Sequence, residues 1–83
     1  MKKTYEVWLE DGRQQHINSD VYLPLAMMQK IVGGYIEVHQ LGKTAFIMDE
    51  EGKLKNRKSN PAFPAFFGTV ITTQNGMQTE GKL

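Results

Sequence analysis

The stretch Ile31-Val32-Gly33-Gly34-Tyr35-Ile36-Glu37-Val38 decides the fold. Upstream of it, Leu25, Met28, Ile31 and Val32 fall on one helical face, and Leu23 and Met27 widen that face. Pro24 suits a first helical turn, and Ser19 and Asp20 are candidate entry residues, so a helix is predicted over Pro24 to Val32. Gly33 ends it, because glycine takes the left-handed conformation of a helix stop without a Cβ penalty. The polar residues of its last turns are few, so the helix is expected to be covered on most sides. From Tyr35 the period changes from helical to alternating, which marks a strand to Leu41.

Thr44 to Met48 reads as the next strand, joined through Gly42-Lys43. Glycine at the first central position suits a two-residue type II′ turn. That turn pairs Glu37 with Met48, Val38 with Ile47 and His39 with Phe46. One face then carries Ile36, Val38, Ala45 and Ile47, which is a core face. The other carries Tyr35, Glu37, His39, Phe46 and Met48, too apolar for a plain solvent face, and is expected to meet a ligand or another subunit.

At the start, Tyr5, Val7 and Leu9 alternate with Thr4, Glu6 and Trp8, a strand rhythm followed by Asp11-Gly12. Read as a two-residue hairpin turn, that dipeptide sets Leu9 opposite Gln14, Val7 opposite His16 and Glu6 opposite Ile17. Beyond Met48, Asp49-Glu50-Glu51-Gly52 reads as a solvated acidic turn, and Lys53 to Lys58 as a cationic loop balancing it. Asn60-Pro61 resembles a helix start, but Pro64 lacks an amide where the first intrahelical bond is needed, so a short or distorted helix to Phe67 is expected. Thr69 to Thr73 forms a last strand, Asn75-Gly76 turns, and the polar tail 77–83 is expected to be mobile. The fold class is therefore α+β: a small, mainly antiparallel sheet of about five strands, two hairpins plus a C-terminal strand, on one main helix with a short second helix.

Eighty-three residues make a single domain, 1–83. A chain this short buries only about 60–65% of its unfolded surface. With no cysteine, neither a disulfide nor a thiolate metal site can reinforce it. A homo-oligomer is the remaining common solution. A formal charge of +1 argues against a dedicated nucleic-acid binder. No apolar run follows Met1-Lys2-Lys3 and none reaches the ~20 residues of a membrane span, so no signal peptide and no membrane partner are expected, and the cytoplasm is the default location.

The chemistry-bearing motifs thin out on inspection. Gly42-Lys43-Thr44 resembles the end of a phosphate-binding loop, but Glu37 stands where its first glycine belongs. The Asp49 acidic run lacks the spacing of a calcium loop. His16 and His39 show no zinc-ligand spacing, so neither a metal nor another cofactor is expected. No catalytic set is present, and the chain is read as a non-enzyme. Candidate ligand-binding residues remain. Trp8 or Tyr35 could stack a ring, Gly34 admits a close backbone approach, Glu37 and Asn60 offer polar edges, and Arg57 and Lys58 could meet phosphates.

At Val32-Gly33-Gly34-Tyr35-Ile36-Glu37-Val38 the chain resembles a family of short proteins common in phages and mobile elements and catalogued as a domain of unknown function. Met48-Asp49-Glu50-Glu51-Gly52-Lys53-Leu54 and Asn60-Pro61-Ala62, followed at a distance by Gly68, extend the resemblance from about Leu23 to Thr73. His39, where the family keeps an apolar residue, and Pro64, inside its usual small-residue helix, depart from the pattern. The resemblance implies a compact α+β fold, a phage-like origin and residence in the host bacterium. Together with the aromatic and basic residues it leads to an expected function: a small-molecule binder that sequesters a nucleotide-derived bacterial immune signal, such as a cyclic nucleotide or an ADP-ribose derivative. The alternative is a regulatory module that docks a host or phage protein through the Tyr35/Glu37/His39/Phe46/Met48 face.

Overall fold

The computed structural model describes residues 3–74, so the expected turn at Asn75-Gly76 and the tail 77–83 lie outside the described residues. Five strands and one helix follow in the order β1 (Lys3–Trp8), β2 (Gln14–Ser19), α1 (Leu25–Val32), β3 (Ile36–Leu41), β4 (Thr44–Asp49) and β5 (Val70–Gln74). They form one antiparallel sheet in the spatial order β2-β1-β5-β4-β3. The last strand thus lies in the middle, flanked by the two hairpins. Described residues include no helix long and apolar enough to cross a membrane.

The β3–β4 register is the expected one, with Glu37 opposite Met48, Val38 opposite Ile47 and His39 opposite Phe46. Gly42 sits at φ +59° and Lys43 has no positive φ, as a type II′ turn requires. The first hairpin differs by one residue. Trp8 faces Gln14, Val7 faces Gln15, Glu6 faces His16 and Tyr5 faces Ile17. The Leu9 amide bonds to Arg13 O at 2.8 Å and the Gly12 amide to Leu9 O at 3.0 Å, so the loop holds three residues, Glu10-Asp11-Gly12. Gly12 takes φ +98°, the left-handed position that closes such a loop.

The reason for this register is burial. A one-residue slip carries every side chain of a strand to the other face. Only the observed pairing sets Ile17 beside Tyr5, on the side where the core lies. A Cβ at Gly12 would meet nothing within 4 Å, so Gly12→Ala strains the backbone without a clash. We expect it to cost about 1 kcal/mol in urea unfolding. A neutral result would show that the loop adopts another turn.

The core face carries Tyr5, Val7, Ile36, Ile47 and Ile71, closed by Leu23, Met28 and Val32 from the helix side. Pro24 is the residue before the helix rather than its first turn, and its carbonyl takes the Met27 and Met28 amides. Leu23 is anchored by its amide, which donates to the Tyr5 hydroxyl at 3.1 Å. Ala26, Met27 and Lys30 remain exposed, so α1 keeps an open side and is less covered than expected.

The opposite face of the sheet is covered by the chain itself. Between β4 and β5 the segment 50–69 crosses back over Trp8 and Phe46. Phe63 meets both rings edge-on, each at 5.2 Å between centroids, and Phe66 lies 5.6 Å from Phe46 and 5.5 Å from His39. Phe46, expected to meet a ligand or subunit, is instead roofed by its own chain, and Met48 is buried at the wall of a hollow beside it. The expected helix from Pro61 is absent. Residues 60–66 make two successive turns, Phe63 N to Asn60 O and Phe66 N to Phe63 O, because Pro64 cannot supply the amide that would bond Asn60 O.

Candidate functional site

The glycine pair that ends α1 also admits an ion cluster built around one buried carboxylate. Gly33 adopts φ +88°, and the Gly33 and Gly34 amides both donate to Gln29 O, at 2.8 and 3.1 Å. This is the wrap that satisfies a helix C-terminus. The side chain of Asp49 points into this end. Its partners Ala45 and Ile47 occupy the core face of β4, and strand alternation carries Asp49 to the same face. The carboxylate is 1% exposed and accepts from Lys55 Nζ at 2.9 Å and Arg57 Nε at 3.1 Å. Its other oxygen accepts the Glu51 amide at 2.9 Å.

The same two cations reach the helix end. Lys55 Nζ and Arg57 Nη2 donate to Gly33 O at 3.3 and 3.2 Å. Cations there complement the partial negative charge of the terminal carbonyls. Burial alone pushes the Asp49 carboxyl up, but the Glu51 amide, the Lys55 ammonium and the Arg57 guanidinium outweigh it and hold the group below its ordinary value. A Cβ on Gly34 would stand 2.5 Å from Lys55 Nζ and 3.0 Å from both Asp49 oxygens. The Gly-Gly element is therefore a helix stop and the floor of an ion cluster at once. Asp49 is no solvated turn residue, although Glu50 and Glu51 beside it are exposed.

Next to this cluster an open hollow of about 290 Å³ lies between the β3 end of the sheet and the crossing segment. Glu37 and His39 line it from β3, Glu50 and Lys53 from the loop after β4, and Phe66 and Phe67 from the far wall. His39 Nε2 and Glu37 Oε2 lie 3.1 Å apart. The hollow therefore combines an aromatic wall, two carboxylates, an imidazole and an ammonium group, enough to recognise a ring bearing polar substituents. Among the described residues no cluster of three or more metal-ligating side chains occurs.

The seven candidate residues do not converge on one place. Glu37 alone of them lines the hollow. Gly34 and Arg57 meet at the Asp49 cluster. Trp8 donates its indole N–H to Thr72 Oγ1 at 2.9 Å beneath the crossing segment. Asn60 is fully buried there. Its Nδ2 donates to Trp8 O and Gly68 O, both at 2.9 Å, and its Oδ1 accepts the Ala62 and Phe63 amides. Tyr35 is 69% exposed and Lys58 is exposed at the surface. His39 also lines the hollow and belongs to the strand face expected to meet a ligand or subunit, whereas Glu50, Lys53 and Phe66 line it without being among the seven candidates. Glu50 and Lys53 adjoin the acidic turn after β4, and Phe66 carries no such signal.

No curated protein and no solved structure matches the chain. Residues 5–82, with the glycine junction, the Asp49 turn and the buried Asn60 all inside them, match the family described as "Domain of unknown function (DUF3846)", and the chain belongs to that family.

Proposed function

We propose that this protein is a non-catalytic binder of a small nucleotide-like molecule, and that the hollow beside β3 is its site. The observation that carries the reading is the meeting of Glu37, His39, Lys53 and Phe66 around one opening. Phe66 supplies a ring face, Glu37 and Glu50 accept hydrogen bonds from amino or hydroxyl groups, and Lys53 meets an anionic group. In a phage-type protein acting in the cytoplasm of a host bacterium, such a site would sequester a nucleotide-derived immune signal.

Thermal unfolding against cyclic nucleotides and ADP-ribose derivatives tests this. A ligand at a hundredfold excess over its Kd adds about 2.7 kcal/mol. In a domain of this size that raises Tm by roughly 10 °C or more. Glu37→Gln and Lys53→Ala, both at exposed positions, should each shrink the shift while leaving the unliganded Tm in place. Absence of a shift with every nucleotide, or a shift indifferent to both substitutions, overturns the reading. The alternative, a regulatory module for a host or phage protein, would dock chiefly through the exposed Tyr35, Glu37 and His39 of the same face.

A further inference from the structure

Among the described residues strand β3 forms one edge of the sheet, and its outer side is self-complementary. The Glu50 amide donates to Tyr35 O at 3.0 Å, which continues the β3–β4 ladder one residue before β3. In an antiparallel pair, hydrogen-bonded and non-bonded positions alternate. Tyr35, Glu37, His39 and Leu41 therefore direct their main-chain groups at β4. Ile36, Val38 and Gln40 direct theirs outward, with no neighbour strand in the sheet order.

We propose that a second copy of this chain pairs antiparallel along β3, with Val38 of both copies on the two-fold axis. This register alone places the free groups of Ile36 against those of Gln40, and those of Val38 against their own symmetry mates. About six main-chain hydrogen bonds result. It also sets Tyr35 of one copy opposite Leu41 of the other, and Glu37 opposite His39. Tyr35 and Leu41 are among the most exposed large apolar side chains described, 69% and 62%. Each finds an apolar partner, at the non-bonded positions where cross-strand side chains come closest. Carboxylate and imidazole alternate around the axis, because each Glu37 already lies beside its own His39.

The opposite edge, β2, offers no such match. The Leu9–Arg13 bond turns the Gln14, His16 and Asn18 main-chain groups outward, and pairing about His16 would set Gln15 against Ile17. A closed two-fold pair along β3 also removes an open edge that would otherwise template aggregation. Both hollows would then lie on the same side of a continuous sheet, flanking the axis. The pairing does not depend on what the hollows bind.

Sedimentation velocity on the full chain, from low micromolar to several hundred micromolar, tests it. Val38→Pro removes an outward amide and leaves the β4 ladder intact, since proline is tolerated on an edge strand when its missing N–H faces away from the sheet. Leu41→Lys alters only an exposed side chain. The wild-type chain should sediment at twice its mass, and both variants at the single mass with unchanged far-UV circular dichroism. Should Val38→Pro fail to fold, Leu41→Lys decides. A wild type that stays monomeric throughout, with its edge free for some other chain, overturns the proposal. So does a dimer that survives Leu41→Lys.

Discussion

Asn60→Ala is expected to be the most damaging single substitution, lowering the free energy of unfolding by about 3 to 5 kcal/mol. The whole domain holds roughly 4 to 12 kcal/mol by its length, so the variant should be partly unfolded at 37 °C. The side chain is fully buried and all four of its bonds go to main chain: Trp8 O, Gly68 O, Ala62 N and Phe63 N. Truncation strands the buried Gly68 carbonyl, takes the partner from the part-buried Trp8 carbonyl and the Ala62 and Phe63 amides, and leaves a cavity besides. Those bonds tie the end of β1 to the start and end of the segment that carries Phe63 over the sheet. Loss of Asn60 should therefore also release the aromatic roof, seen as a drop in near-UV circular dichroism around Trp8. Asn60→Asp keeps the acceptor and loses both donors, so it should also be severe. Urea titration giving less than about 1 kcal/mol for Asn60→Ala would mean that this amide is not the hub of the fold.

Asp49→Ala should follow, at about 3 kcal/mol. Lys55 and Arg57 are partly exposed and can rehydrate, which keeps the cost toward the lower part of the range for a broken buried pair. The pH dependence gives the sharper test. The folded state holds the Asp49 carboxyl below its ordinary value, so the unfolded chain binds this proton more tightly. The stabilisation is complete above the unfolded value near 4, and is lost as pH falls from there through the folded value. The urea midpoint should fall across that window, and Asp49→Asn should flatten the fall while lowering the plateau at neutral pH. Asp11 is the control. Chiefly the Arg13 amide holds it low too, but it sits on an open loop tip, and Asp11→Asn should leave the acid limb nearly as steep. An unchanged limb in Asp49→Asn would remove the cluster from the account.

Much of the architecture could be read from local signals. Gly42 fixed one turn type, and with it both faces of the β3–β4 hairpin. Asp11-Gly12 misled by one residue because the same dipeptide also ends a three-residue loop. The arbiter lay in the sequence: only the longer loop places Ile17 with Tyr5. Asp49 looked like its neighbours Glu50 and Glu51, because three adjacent carboxylates suggest water. Its alternation with Ala45 and Ile47 was the available sign that it points inward, and Lys55 and Arg57 were at hand to meet it. The placement of Phe63 and Phe66 had no such sign. Segment 50–69 has neither helical nor strand period, and its course is fixed by Asn60 and by the aromatic contacts it reaches. For that reason the hollow was not legible, although Glu37 in it was.

The position of β5 has a consequence for how the protein is made. Translation delivers the β1–β2 and β3–β4 ribbons early, but they do not touch each other in the sheet; each pairs with β5. Until Val70 to Gln74 leaves the ribosome tunnel the nascent chain holds two separate hairpins, each too small to persist alone in water. Folding must therefore wait for synthesis to pass the fifth strand, and the entire sheet then closes in one late event.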